Sequence, residues 1–230
     1  MIKAVIFDFD HTLYDRDLTY EKMVPALCAE LDAYVNKELS PAEMLARMQQ
    51  ADRDGAYPSG WPTVYREKIA QGVFTTVPDY DTYMRAVRRH HPVSITLFSD
   101  TLQTLTTLRE MGMKLGMLTN GGIKSQTDKL NNTPLAPYFD EIIICGTLPE
   151  EKPHASAFHT ICRALGVAPE EAMFVGDHPY NDVEGAKKAG LTSVWIPYVK
   201  PYPADALPPD HTIDALAELV DLVKAHNANN

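Results

Sequence analysis

The stretch AVIFDFDHT, residues 4–12, decides the fold class of this 230-residue chain. Its first four residues are all apolar, which is typical of a strand buried on both faces of a parallel sheet. Asp8 and Asp10 follow and share one face of an extended backbone, because they are two residues apart. In open α/β sheets, ligands bind beyond the carboxyl ends of the strands. The sequence therefore predicts a site that begins at this aspartate pair.

Further apolar runs in the second half of the chain predict four more strands, over residues 114–118, 141–145, 172–175 and 192–196. Amphipathic patterns that each end at a glycine alternate with these runs and predict helices. This alternation indicates an α/β class protein: a Rossmann-like parallel sheet with helices on both faces. The core would comprise residues 1–14 and 95–230, with a last surface helix over 213–223.

Residues 15–94 contain helical patterns and no run that is typical of a buried strand. A long amphipathic pattern covers 18–35, and Ser40-Pro41-Ala42-Glu43 has the N-cap, proline and capping-box glutamate of a helix start. We therefore expect an inserted α-helical cap domain that determines substrate specificity. Some side chains in or next to the turn-rich stretch 52–62 either face the site or belong to the cap's own core and surface: Tyr57, Trp61, Tyr65 and Arg66.

Composition and charge limit the kinds of partner. The formal net charge of −10 disfavours binding to nucleic acid or to anionic membrane surfaces. The three cysteines form no C-x-x-C pair, so we interpret them as buried thiols in a reducing compartment and not as a disulfide framework. The apolar run after Lys3 is too short for a signal peptide, and no segment approaches the ~20 apolar residues of a membrane span. We expect a cytoplasmic protein, either a monomer or a weak homodimer.

Three more groups of polar residues follow predicted strands. Thr119 and Asn120 offer donors for phosphate oxygens, although Asn-Gly is also a common turn signal. Lys152 comes after the third strand and either reaches the site or is simply solvated. Asp177 follows the fourth strand, and Asp182 opens the next helix, where its alternative role is capping. With the first aspartate pair, these oxygen ligands suit Mg²⁺.

Taken in this order, the four groups resemble the haloacid dehalogenase-like superfamily. Its pattern is Asp-x-Asp-x-Thr, then Thr or Ser, then Lys, then Gly-Asp followed by a further acid. The matching residues are Asp8, Asp10, Thr12, Thr119, Lys152, Asp177 and Asp182. The resemblance covers the whole core, and the helical insertion falls where the family's first type of cap sits. One departure is His11, where many members carry glycine.

The resemblance implies a hydrolase, more narrowly a phosphatase that hydrolyses a small phosphorylated metabolite through an aspartyl-phosphate intermediate. Asp8 would be the nucleophile, and Asp10 the general acid and then the general base. Dehalogenases of the family lack the acid at the position of Asp10, whereas a phosphomutase shares every core motif. A response-regulator receiver would place its nucleophile on a middle strand and have no insertion. A non-catalytic interaction protein is a further alternative.

The resemblance also implies the binding groups of the site. The phosphate-binding groups would be Thr119, the backbone of Asn120, and Lys152. The Mg²⁺ ligands would be Asp8, the backbone carbonyl of Asp10, and Asp177. Asp182 would support the site by orienting Lys152 or a metal-bound water.

Overall fold

The computed structural model describes residues 1–55, 64–198 and 201–228. The chain divides into two compact units, of which the first comprises residues 1–14 and 97–230 and the second residues 15–96. Each unit has its own buried apolar core. Within the described ranges, no helix has both the length and the apolar character that a bilayer crossing requires.

The strands of the first unit are β1 (Ala4–Phe7), β2 (Lys114–Thr119), β3 (Glu141–Ile144), β4 (Ala172–Gly176), β5 (Thr192–Trp195) and β6 (His211–Thr212). Among the described residues they form one parallel sheet in the order β3-β2-β1-β4-β5-β6. Strand β1 is fully buried and lies between β2 and β4. The first five strands coincide with the five predicted apolar runs, so the predicted α/β class is confirmed.

The short edge strand β6 was not predicted, because His211 and Thr212 carry no apolar run. Polar contacts hold the chain beside β5 at this point. The carboxylate of Asp210 accepts hydrogen bonds from both the backbone N–H and the hydroxyl of Ser193, each at 2.9 Å. Such a pairing depends on residues distant in sequence and leaves no local pattern.

The α-helices, in chain order, are α1 (Arg16–Glu30), α2 (Pro41–Gly55), α3 (Ala70–Val73), α4 (Tyr80–Ser94), α5 (Thr101–Glu110), α6 (Ile123–Asn131), α7 (Ala155–Leu165), α8 (Gly185–Lys188) and α9 (Glu218–Ala228). Helix α9 begins later than predicted. The carboxylate of Glu218 accepts the backbone N–H groups of Asp214 and Ala215 and closes a turn before the helix. Leu219 and Val223 of α9 are buried, so this helix packs on the first unit.

Helices α1 to α4 belong to the second unit. The predicted capping box of α2 is confirmed, because Ser40 N–H donates to Glu43 at 2.9 Å and Glu43 N–H donates to the Ser40 hydroxyl at 3.3 Å. The prediction for 18–35 was too long: α1 ends at Glu30, and Val35 instead forms an isolated antiparallel bridge with Phe74. Tertiary pairing therefore overrides the helical pattern at its end.

Of the four aromatic and cationic side chains singled out in this unit, Tyr57 and Trp61 lie outside the described residues. Tyr65 is buried in the unit's core and packs against the ring of Tyr83. Arg66 is exposed. Tyr65 therefore belongs to the core of the second unit, and Arg66 belongs to its surface.

The cysteines are free thiols, as predicted. Cys145 and Cys162 are buried, whereas Cys28 is only half-buried at the edge of the second unit's core. The expectation of complete burial was therefore wrong for Cys28, which α1 presents at the margin of its apolar face.

Candidate active site

The carboxyl edge of the sheet brings together three of the predicted site residues, Asp8, Thr119 and Asp177. Asp8 directly follows β1, and its N–H extends the ladder by donating to Val175 of β4 at 2.9 Å. Thr119 is the last residue of β2, and Asp177 directly follows β4. Since these three strands are adjacent and parallel, their ends place the three side chains at one edge.

Lys152 is the centre of the cluster. Its ammonium donates to Asp8 Oδ1 and to Asp182 Oδ1, each at 2.7 Å. The residue is 3% exposed, and its Nζ lies 5.1 Å from the centre of the Phe174 ring. The alternative of a solvated lysine is therefore wrong, because Lys152 is buried between two carboxylates.

Burial and mutual repulsion shift the ionisation of this cluster. Loss of solvation raises the pKa of Asp8 to about 7, with Lys152 opposing the shift and Asp182 and Asp10 adding to it. Burial also raises the pKa of Asp177 well above its ordinary value, and the charges of Asp182 and Asp8 act in the same direction. Burial alone would lower the pKa of Lys152, but its two carboxylate partners outweigh that effect and raise it.

The acidic groups outnumber the lysine. Oxygen atoms of Asp8, Asp177 and Asp182 lie within 4.8 Å of one another, and all three residues are buried. Three carboxylates facing one ammonium leave an excess of buried negative charge, which a divalent cation would compensate. The residues present therefore fit a hard cation such as Mg²⁺.

Protein donors bind both oxygens of Asp182 at short distances, whereas among the described residues the second oxygen of Asp8 has only the Thr12 hydroxyl at 3.4 Å. Oδ1 accepts from Lys152, and Oδ2 accepts the backbone N–H of His178 at 3.0 Å. The residue lies in a π-helical turn, Pro179–Glu184, and not at the start of an α-helix as expected. This arrangement suits a residue that orients Lys152.

The tight approach of Asp182 to the sheet requires a glycine at position 176. A Cβ atom there would lie 2.4 Å from Asp182 Oδ2 and 2.6 Å from its Cβ. Only hydrogen fits in this space, so the glycine is needed for steric reasons and not for its backbone angles.

We predict that Gly176→Ala lowers the free energy of unfolding by about 1–3 kcal/mol, because the added methyl group must displace the Asp182 side chain. Thermal and urea denaturation would measure the change. Gly122→Ala is the matched control: a Cβ there meets nothing within 4 Å, so its stability should stay within about 0.5 kcal/mol of wild type. Equal stabilities of the two variants would contradict the steric argument.

Asn120 reaches the cluster through its side chain. Its amide donates to the Lys152 carbonyl at 2.8 Å and accepts the Lys152 N–H at 3.0 Å. The Lys152–Pro153 peptide bond that follows is cis. The sequence pointed to the Asn120 backbone as a phosphate ligand, but it gave no sign that the side chain fixes the backbone of Lys152.

Asp10 is held by residues that the sequence did not indicate. Its Oδ1 accepts from Lys129 Nζ at 2.5 Å and from the Tyr14 hydroxyl, and its Oδ2 accepts from Gln126 Nε2 at 2.9 Å. Gln126 also donates to the Thr119 hydroxyl at 2.6 Å. Through this amide, the structure connects Asp10 with Thr119. Gln126 and Lys129 lie on α6, the helix that follows Thr119. That position is the one signal in the sequence that could have suggested them.

His11 takes the conformation that its sequence position suggests for glycine. Its φ of 62° lies in the left-handed region, which a non-glycine residue rarely adopts. The ring packs against Tyr198, with 3.9 Å between the ring centroids. The turn between Asp10 and Thr12 therefore keeps a left-handed conformation although it carries histidine and not glycine.

A parallel α/β core with an acidic carboxyl edge and a buried lysine is the architecture of a Rossmann-like enzyme. The sequence profile of the family described as "Haloacid dehalogenase-like hydrolase" matches residues 5–196. The chain belongs to this family, and the resemblance read from its motifs is confirmed.

Two relatives and one solved structure illustrate the similarity. The chain is 34% identical to a glyceraldehyde 3-phosphate phosphatase of Methanopyrus kandleri, over 97% of this chain and 98% of that protein. It is 35% identical to an N-acylneuraminate-9-phosphatase of Rattus norvegicus, over 97% and 94% of the two chains. A crystal structure of a HAD phosphatase from Thermococcus onnurineus is 29% identical, with a TM-score of 0.63 over 96% and 98%.

Proposed function

We propose that this haloacid dehalogenase-like phosphatase hydrolyses a small phosphate monoester in two steps, with Asp8 as the nucleophile and Mg²⁺ as the cofactor. The contact between Lys152 and Asp8, 2.7 Å at the buried edge of the sheet, is the observation that carries the proposal. A buried lysine held against a strand-end aspartate places positive charge where a phosphoryl group would meet a carboxylate.

In the first step, an Asp8 oxygen attacks phosphorus and the bond from phosphorus to the alcohol oxygen breaks. The electron pair leaves with the alcohol oxygen, which takes a proton from Asp10, and Asp8 becomes an aspartyl phosphate. In the second step, Asp10 takes a proton from water as that water attacks phosphorus, and the bond from phosphorus to the Asp8 oxygen breaks with its electron pair returning to Asp8. Inorganic phosphate leaves, and both aspartates return to their starting forms.

Groups that bind the phosphate would supply most of the rate acceleration that acid–base catalysis does not. Phosphate monoester hydrolysis requires an acceleration of up to ~10²¹-fold, of which acid–base catalysis supplies about 10²- to 10⁴-fold. Lys152 and the Thr119 hydroxyl would bind the phosphoryl oxygens, and Asp182 would hold Lys152 in place. These fixed groups supply positioning and charge stabilisation without rearrangement.

The acidic edge fits a magnesium ion. Its protein ligands would be the carboxylates of Asp8 and Asp177 and the backbone carbonyl of Asp10. When bound, Mg²⁺ offsets the repulsion between a carboxylate nucleophile and an anionic phosphate ester. The excess of buried carboxylate over ammonium supports this assignment.

The proposal specifies a class of substrate and not one ester. The two relatives named above act, by their names, on different phosphate esters and are almost equally similar to this chain. We propose that the choice among such esters depends on the helical second unit, residues 15–96.

A panel of phosphate esters tests the proposed activity. Glyceraldehyde 3-phosphate, N-acylneuraminate 9-phosphate and several sugar phosphates would be incubated with the protein and Mg²⁺, and inorganic phosphate and the free alcohol would be measured. We expect the two products in equal amounts from at least one ester. Phosphoryl transfer to a second sugar phosphate would instead identify a mutase. Release from none of the esters would contradict the proposal.

A further inference from the structure

The carboxylate of Asp10 is fixed at both oxygens. Lys129 Nζ lies 2.5 Å from Oδ1, which also accepts the Tyr14 hydroxyl, and Gln126 Nε2 lies 2.9 Å from Oδ2. The Lys129 side chain is 12% exposed, so the ion pair is largely shielded from solvent. Donors on both oxygens restrict rotation of the carboxyl plane, and a protonated carboxyl group keeps acceptor capacity, so the same donors can also hold the acid form.

Gln126 connects two strand ends. Its buried amide nitrogen carries two hydrogens and lies within hydrogen-bond distance of three acceptors: Asp10 Oδ2, the Thr119 hydroxyl at 2.6 Å and the Asn120 carbonyl at 3.0 Å. Asp10 follows β1, whereas Thr119 ends β2. One side chain thus sets the position of the proposed proton donor relative to the proposed phosphate-binding hydroxyl.

The spacing on α6 explains why Gln126 and Lys129 reach the same carboxylate. They are three residues apart, and residues at this spacing lie on one face of a helix. Lys124 lies on the same helix but is 86% exposed at its side chain and pairs with Asp128 at 2.8 Å. The helix therefore carries one lysine toward Asp10 and another toward solvent.

We infer that Gln126 and Lys129 are positioning residues that hold Asp10 in line with the leaving-group oxygen. The inference rests on the proposed function, since it assigns them to the proton transfer of the first step. A fixed carboxyl group reaches the departing oxygen without a search through rotamers, whereas a loose one would spend most of its time misaligned.

The dependence on the leaving group distinguishes this role from a purely structural one. An alkoxide is a poor leaving group and needs the proton, whereas p-nitrophenolate departs as a stable anion and needs it little. The ratio kcat/KM covers every step up to alcohol release and excludes the later hydrolysis of the intermediate. Loss of alignment should therefore lower kcat/KM for an alkyl phosphate and spare it for p-nitrophenyl phosphate.

The experiment measures kcat/KM of wild type, Lys129→Met, Gln126→Ala and the control Lys124→Met with p-nitrophenyl phosphate and with the alkyl ester of the panel above that wild type hydrolyses fastest. We expect a loss of about 10- to 100-fold for the alkyl ester in each α6 variant, part of the full contribution of a general acid. With p-nitrophenyl phosphate the loss should stay within about threefold, and Lys124→Met should match wild type with both. In an Asp10→Asn background, Lys129→Met should cause no further loss.

Other outcomes would overturn the inference. Equal losses with both esters would indicate a structural role, and unchanged kcat/KM in a folded variant would exclude positioning. If Lys129→Met does not fold, the two esters can be compared with Gln126→Ala and Lys129→Arg instead. Lys129→Arg keeps the positive charge, so its loss with the alkyl ester should be smaller than that of Gln126→Ala. Wild-type protein that hydrolyses no ester of the panel would instead contradict the proposed function itself.

Discussion

Asp8→Asn is expected to lower phosphate release by about 10⁴-fold or more, the range in which loss of an enzymatic nucleophile falls. The amide is a far poorer nucleophile than the carboxylate, so the aspartyl phosphate does not form. The substitution also removes the charge that Lys152 contacts at 2.7 Å. Steady-state phosphate release in the presence of Mg²⁺ would measure the loss, with circular dichroism to verify folding.

Asp128→Asn is the control for this variant. Asp128 lies on α6, pairs with the exposed Lys124 and has no assigned role in the site, so activity should be unchanged. Rapid acid quench and peptide mass spectrometry should find phosphate on the Asp8 peptide of wild type and none on that of Asp8→Asn. Wild-type rates in a folded Asp8→Asn protein would disprove the nucleophile assignment.

Removal of magnesium is expected to abolish activity, and its return to restore it. The same ion should raise the melting temperature, because ligands that bind the folded state stabilise it. Asp177→Asn should lose both responses. Differential scanning fluorimetry with EDTA or with Mg²⁺ measures the second response directly.

The pH dependence of the metal response follows from the pKa of Asp8, which burial raises from 3.8 to about 7. Between these values the folded protein binds more protons than the unfolded chain, so the metal-free protein loses stability as pH rises. Mg²⁺ needs the ionised carboxylates, so its binding strengthens in the same direction. The magnesium-induced rise in melting temperature should therefore be larger at about pH 8 than at about pH 5.5.

Asp177→Asn tests the direction of the effect that an ionised Asp177 has on the stability of the metal-free protein. Burial raises the pKa of Asp177, so its ionised form destabilises the metal-free fold at neutral pH. In EDTA the variant should therefore melt at a higher temperature than wild type, while Asp128→Asn should melt at the wild-type temperature. A variant that keeps the magnesium-induced shift would contradict the assignment of Asp177 as a ligand.

The sequence predicted those features whose cause is local. An uninterrupted apolar run is enough to predict β1, and the position of Asp8 directly after it places the acid at the edge of the sheet. The role of Lys152 was open between two alternatives, since its burial depends on Asp8 and Asp182, which are 144 and 30 residues away in sequence. No window around the lysine contains that information.

The contacts of α6 illustrate the remaining limit. Gln126 and Lys129 stand among polar neighbours that fit a solvated helix face, and nothing near them distinguishes them from Lys124. Their contacts with Asp10 arise only when α6 packs at the end of β2. The edge strand β6 was not predicted for the same reason, because contacts between Asp210 and the distant Ser193, and not an apolar pattern, hold it in place.

The fixed position of Lys152 has a consequence for conformational entropy. A free lysine side chain that becomes ordered loses up to about 2 kcal/mol of rotamer freedom. Lys152 is held between Asp8 and Asp182, so this loss occurs when the chain folds and not when a phosphate ester arrives. In the proposed reaction the ester would therefore meet an ammonium group that is already ordered, and its binding energy would remain available for the reaction.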